Sequence, residues 1–129
     1  MAMDHSEHAR SMGELLATFR RLPTAGLELN DLWADPSRLA ARATRWGQEI
    51  RRLSTAERMT LTGVIGRVPA LFAKRPVVLA HGDFAPVNML ADGTTVTGLL
   101  DFESVRLADP VFDVAWWASI LIFSASWPA

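Results

Sequence analysis

A chain of 129 residues and 14.2 kDa has room for one domain with a real core and little room for a second. Half of its residues are hydrophobic, 21% are charged and the mean hydropathy is +0.14, which excludes intrinsic disorder and leaves more apolar surface than a chain of this size hides easily. The net charge is −1, with 12 of the 13 basic side chains before residue 76 and six of the 14 acidic ones after it, so nucleic acid is excluded as a partner on electrostatic grounds.

No cysteine is present, which removes disulfides, thiolate catalysis and thiolate zinc sites. Met1 to Arg10 offers no apolar stretch of the kind a secretory signal needs, so the expected location is the cytoplasm. The longest uncharged run, Val114 to Ala129, has 16 residues and three serines. That is short of the roughly 20 residues a membrane helix requires, so it reads as a buried helix and no membrane partner is expected.

Met12, Leu15, Leu16, Phe19 and Leu22 recur at helical spacing behind a Ser11–Glu14 capping box, which predicts a first helix ended by Pro23. Asp35-Pro36 is a cap followed by proline at the first helical position, and Leu39, Ala43, Trp46, Ile50 and Leu53 share one face of the helix it opens. Ser54 and Glu57 make another capping box, before a third helix through Leu61, Val64, Ile65, Val68, Leu71 and Phe72 that Pro69 should bend or end. Pro76 to Ala80 then reads as a short buried strand. Asn88–Leu90 and Thr95–Leu100 flank Asp92-Gly93, a hairpin-turn dipeptide. Asp109-Pro110 starts a last helix through Val114, Trp117, Ile120 and Leu121. The expected class is α+β.

Chemistry is concentrated between Val78 and Ala115, where polar residues interrupt the apolar pattern just outside the strands. Asp83 and Asn88 lie five apart on a loop, Asp101 ends the second hairpin strand, and the hairpin brings these positions together. A carboxylate and an amide oxygen suit a hard divalent ion such as Mg²⁺, and a second carboxylate beside them can accept a proton from a hydroxyl. Taken singly, Asp83 and Asn88 read as turn residues and Asp109 as a helix cap. The five tryptophans, at helical spacing, read as core. Trp116 and Trp117, being adjacent, cannot both face inward.

The segment His81-Gly82-Asp83-Phe84-Ala85-Pro86-Val87-Asn88 resembles the H-G-D-x-x-x-x-N catalytic loop of the aminoglycoside phosphotransferase family, a relative of the protein-kinase loop. Leu99-Leu100-Asp101-Phe102-Glu103 resembles that family's metal-binding strand end, and Asp109-Pro110-Val111-Phe112-Asp113-Val114-Ala115 its D-P-x-x-D-x-A stretch. The resemblance implies part of a kinase-like carboxyl lobe that transfers a phosphoryl group from ATP or GTP to a hydroxyl of a small molecule. Asp83 would be the catalytic base, Asn88 and Asp101 would hold Mg²⁺ and the nucleotide phosphates, Asp113 would brace the loop, and His81 would pack and hydrogen-bond. Aminoglycoside, macrolide, choline and sugar acceptors all fit the sequence, the antibiotics implying a role in resistance.

The sequence departs from the kinase pattern too. It holds no G-x-G loop, and its one lysine, Lys74, is not inside a strand. It also stops soon after the last motif, whereas family members usually continue with further helices. The expectation is therefore a fragment without the amino-terminal nucleotide lobe and the terminal helices, inactive alone, and able to self-associate through the apolar faces of its last helix. The alternative is a catalytically silent remnant serving as a binding module.

Overall fold

The structure, a computed structural model, describes residues 5–126 and the side chains of residues 6–123. In chain order the elements are α1 (His5–Phe19), α2 (Pro36–Glu49), α3 (Thr55–Leu71), β1 (Val78–Ala80), β2 (Met89–Asp92), β3 (Thr95–Leu99), β4 (Arg106–Ala108) and α4 (Val111–Ser126), with single 3-10 turns at Leu32–Ala34 and Pro86–Asn88. This is the α+β arrangement expected.

The helix α1 begins ahead of the Ser11–Glu14 pair, so Ser11 lies inside it and caps nothing. Its hydroxyl oxygen instead accepts the Val96 N–H at 2.7 Å, and Thr94 Oγ1 donates to Glu7 Oε2 at 3.1 Å. Both bonds tie α1 to the β2–β3 hairpin. Met12 and Leu16, buried on the same helix, pack with Phe84 as the core cluster, against which Leu15, Met89, Val96, Leu99 and Trp117 rest.

The next two helices form an antiparallel pair. Asp35 caps α2 by accepting the Arg38 N–H at 3.1 Å, with Pro36 in the first helical position, and both arms of the Ser54–Glu57 capping box are present on α3. Arg58 on α3 donates to the carbonyls of Gly47 and Ile50 at 3.1 and 3.0 Å. Gly47 O also accepts the Ile50 N–H at 3.3 Å where the chain leaves α2, and a cation at this end complements the helix dipole. Pro69 falls in the last turn of α3 and does not stop it before Leu71.

One strand could not be read from the sequence. Arg106-Leu107-Ala108 pairs antiparallel with β1 in the register Val78↔Ala108, Leu79↔Leu107, Ala80↔Arg106, and the Leu107 N–H reaches Asn30 O at 2.9 Å. Three residues beginning with a charge carry no readable alternation. The other sheet is the β2–β3 hairpin, with Asp92 paired to Thr95 and a bulge between Leu90 and Ala91. The turn is therefore Gly93-Thr94, one residue later than expected, with Gly93 at a φ of +61°.

Helix α4 turns Trp117 toward the core cluster, where its Nε1 is buried without an acceptor. Val114, Trp116, Leu121, Ile122 and Phe123 stay 42–70% exposed. Among the described residues no helix is long and apolar enough to cross a membrane.

Candidate active site

Strand β1, buried at Leu79 and Ala80, delivers His81, Gly82 and Asp83 to its carboxyl end. His81 is fully buried. Its Nε2 lies 2.9 Å from Leu100 O and its Nδ1 accepts the Asp83 N–H at 3.2 Å, a pairing that assigns the ring proton to Nε2. With both nitrogens engaged, His81 clips the loop to the end of β3, the structural part expected for it. Phe19, Phe84 and Phe102 meet its ring edge-on at 6.0, 6.4 and 5.5 Å between centroids.

Gly82 has a φ of +89° and passes so close to β4 that a Cβ would fall 2.0 Å from Ser104 O. Asp113, buried in the first turn of α4, accepts the backbone N–H of His81 at 2.8 Å and of Gly82 at 3.0 Å, one on each carboxylate oxygen. A carboxylate is favoured at that helix end, and here it holds two consecutive loop amides, as the bracing role requires.

Asp83 and Asn88 are in direct contact. Asn88 Nδ2 donates to Asp83 O at 2.8 Å and to Asp83 Oδ2 at 2.9 Å, so the amide's Oδ1 points elsewhere and remains available as a ligand atom. Asn88 O accepts the Leu100 N–H at 2.7 Å, which sets Asp101 one residue beyond a point fixed to Asn88. Asp101 is exposed, with a φ of +59°, a conformation aspartate tolerates better than most side chains. Its Oδ1 faces the Glu103 N–H at 3.4 Å. No group of three His, Cys, Asp or Glu side chains able to hold a metal occurs among the described residues. One amide oxygen and one exposed carboxylate fit a Mg²⁺ ion that takes its other ligands from phosphates and water, and do not fit a metal bound by protein alone.

Trp116 is the residue that sequence reasoning missed. Its Nε1 donates to Asp83 Oδ1 at 2.9 Å, so each oxygen of Asp83 has one N–H donor and the carboxylate is fixed in direction. The available signal was the adjacent pair of tryptophans: with Trp117 inside, Trp116 must face another way, and one turn after Asp113 that way is the loop.

Asp109 accepts Arg75 Nε and, at 2.9 Å, Arg75 Nη2, and it also caps α4 through the Val111 N–H at 2.9 Å. The Arg75 hydrogen bond leads the causes that hold its carboxyl below the ordinary value of 3.8. A depressed carboxyl contributes stability that is present above its unfolded value and lost as pH falls through the folded one. The gap in thermal midpoint between wild type and Asp109→Asn is therefore expected to be larger at about pH 7 than at about pH 3; an equal gap at both would deny the pair this role.

A cavity of about 670 Å³ opens beside this loop, between α2, α3, β4 and α4, with Gly82, Asp83 and Trp116 on its wall. A kinase-like phosphotransferase carboxyl lobe is what this order of loop, hairpin, strand-end aspartate and bracing helix defines. The sequence model of the phosphotransferase enzyme family (APH) matches residues 3–129, and the chain belongs to that family. Among solved structures it is similar to the macrolide 2'-phosphotransferase MphH of Brachybacterium faecium, as apoenzyme, with a TM-score of 0.59 and 23% identity over 88% of this chain and 40% of that one. It is similar also to a type I macrolide 2'-phosphotransferase, with a TM-score of 0.65 and 21% identity over 95% and 41%. At these identities the likeness establishes the fold, and the chain spans about 40% of the length of either structure. No curated protein matches the chain significantly.

Proposed function

We propose that this chain carries the catalytic loop and the metal-holding strand end of an O-phosphotransferase that uses ATP or GTP to phosphorylate a hydroxyl of a small molecule. The contact of Asn88 with Asp83 through two hydrogen bonds, which leaves the amide oxygen over, together with the Leu100 N–H held by Asn88 O one residue before Asp101, carries this reading. Asp83 accepts the hydroxyl proton while the hydroxyl oxygen bonds to the γ-phosphorus and the bond to the nucleoside diphosphate breaks. Asn88 Oδ1 and Asp101 would hold Mg²⁺, which when bound neutralises charge on the phosphates. Trp116 and Asn88 keep Asp83 aimed, and Asp113 with His81 keeps its loop in place. The names of the two structural neighbours support an antibiotic acceptor and a role in resistance. The cytoplasm, rich in nucleotide and Mg²⁺, is the compartment such a reaction needs.

Since these 129 residues hold no G-x-G loop and no strand lysine, the groups that cover the phosphates come from elsewhere, and the chain alone transfers phosphate below detection. The test is a chimaera in which residues 78–115 replace the matching segment of a catalytically competent family member. It should retain transfer to that member's acceptor, and Asp83→Asn within it should lose roughly 10²–10⁴-fold. Undiminished transfer in the Asp83→Asn chimaera would overturn the reading; transfer at a kinase-like rate by the isolated chain would contradict only the expectation that it is inactive alone.

The exposed apolar groups of α4 carry a proposal of their own. Burial at about 25 cal/mol per Å² makes a few hundred Å² of apolar contact worth several kcal/mol. The chain should therefore self-associate at high micromolar concentration in sedimentation, and Leu121→Lys with Phe123→Lys should shift it toward monomer without changing helix content. A monomeric wild type would sink this expectation.

A further inference from the structure

The carboxylate plane of Asp83 is not set by its own loop. The torsion that turns an aspartate carboxylate is soft, without the staggered wells that fix other side-chain angles. A hydrogen bond to one oxygen anchors that atom and leaves the group free to pivot about it. Asn88 supplies such an anchor, its Nδ2 donating to Oδ2 at 2.9 Å, and no cation pairs with Asp83 among the described residues. The other anchor comes from α4, where Trp116 Nε1 donates to Oδ1 at 2.9 Å. With a donor on each oxygen, the plane is defined.

The oxygens then face different surroundings. Asp83 and Trp116 are both on the cavity wall, and Asn88 is not. Oδ2 is thus turned to the Asn88 amide, and Oδ1 to the indole and the cavity. Trp116 stands three residues after Asp113 on the same face of α4. One turn of that helix therefore holds the amides of His81 and Gly82 through Asp113, and the side chain of Asp83 through Trp116. Trp116 is 42% exposed, so burial in the core does not account for its placement.

We propose that Trp116 is a positioning residue for phosphoryl transfer, whose indole N–H aims Asp83 so that Oδ1 is the oxygen receiving the hydroxyl proton. This role rests on the phosphotransferase function proposed for the loop. In the transfer step the acceptor oxygen bonds to the γ-phosphorus of ATP or GTP. The bond from that phosphorus to the nucleoside diphosphate breaks, and the hydroxyl proton passes to Oδ1. Trp116 acts through Asp83, and a misaimed base costs rate rather than affinity.

A pair of variants separates the N–H from the ring. Trp116→Phe keeps an aromatic wall and removes the donor, whereas Trp116→His keeps an N–H at the matching place of its five-membered ring and removes the fused benzene. In NMR spectra of the isotope-labelled 129-residue chain, the Asn88 side-chain NH₂ signals should move in Trp116→Phe, as the carboxylate pivots on Oδ2, and return toward their native place in Trp116→His. Signals unmoved in Trp116→Phe, or equally displaced in both variants, overturn the proposal, because Asn88 alone would then set the carboxylate. The kinetic arm fuses all 129 residues in place of the matching part of a catalytically competent family member. There Trp116→Phe should lower kcat at least about tenfold with the acceptor KM within about twofold, and Trp116→His should restore most of kcat. A kcat untouched by Trp116→Phe, or equal losses in both variants, overturns the proposal alone, provided Asp83→Asn still abolishes transfer. A folded fusion without transfer, or one that Asp83→Asn leaves undiminished, overturns the phosphotransfer reading and this proposal with it.

Discussion

Gly82→Ala is expected to destabilise the chain by about 3–5 kcal/mol, the sum of a side chain forced to positive φ and a steric overlap that backbone must relieve. A Cβ at this position would stand 2.0 Å from Ser104 O and 2.7 Å from Ser104 C. Neither atom can rotate away, because Ser104 leads into β4, whose pairing with β1 holds the whole loop. Gly93→Ala is the control: it also has positive φ, +61°, but nothing lies within 4 Å of its Cβ, so it should cost only about 1 kcal/mol. Urea denaturation of the two variants separates strain from collision. Equal losses would mean that the approach of Gly82 to Ser104 is not a tight one.

Asp113→Ala should cost a comparable amount, by a different route. The carboxylate is 2% exposed and is the acceptor for two consecutive amides. Removing it strands both N–H groups away from water, at about 1–3 kcal/mol each, and leaves a cavity as well. The expected total of about 3–5 kcal/mol corresponds to a fall of roughly 10–20 °C in Tm for a chain of this length. Asp113→Asn tests the mechanism, since its NH₂ would meet one of the two backbone donors and only one bond would survive. A loss in Asp113→Asn as small as that of an exposed substitution would show that the loop does not depend on this brace.

Much of this site could be read from spacing because its parts are local. The cap at Asp35, the capping box at Ser54 and Glu57, and the loop from His81 to Asn88 each act within a few residues, so the signals lie next to one another in the chain. What escaped depends on distant partners. Ser11 has the neighbours of a helix cap, and only the hairpin 85 residues later decides that its oxygen serves Val96 instead. Strand β4 exists because β1 has an edge to pair, which three residues cannot announce. Trp116 reaches Asp83 across 33 residues, and Arg75 meets Asp109 across 34.

The central claim is that Asp83, Asn88 and Asp101 form one phosphate- and metal-handling site. Titration of the isotope-labelled chain with Mn²⁺ and ATP, with loss of amide signals in NMR spectra as the readout, tests it directly, because the paramagnetic ion broadens only what lies near it. Binding should be weak, since an amide and a carboxylate leave the ion mostly hydrated. Broadening is expected to centre on the amides around Asp83, Asn88 and Asp101, and Asp101→Asn is expected to abolish it. Broadening centred elsewhere, or unchanged in Asp101→Asn, would contradict the claim.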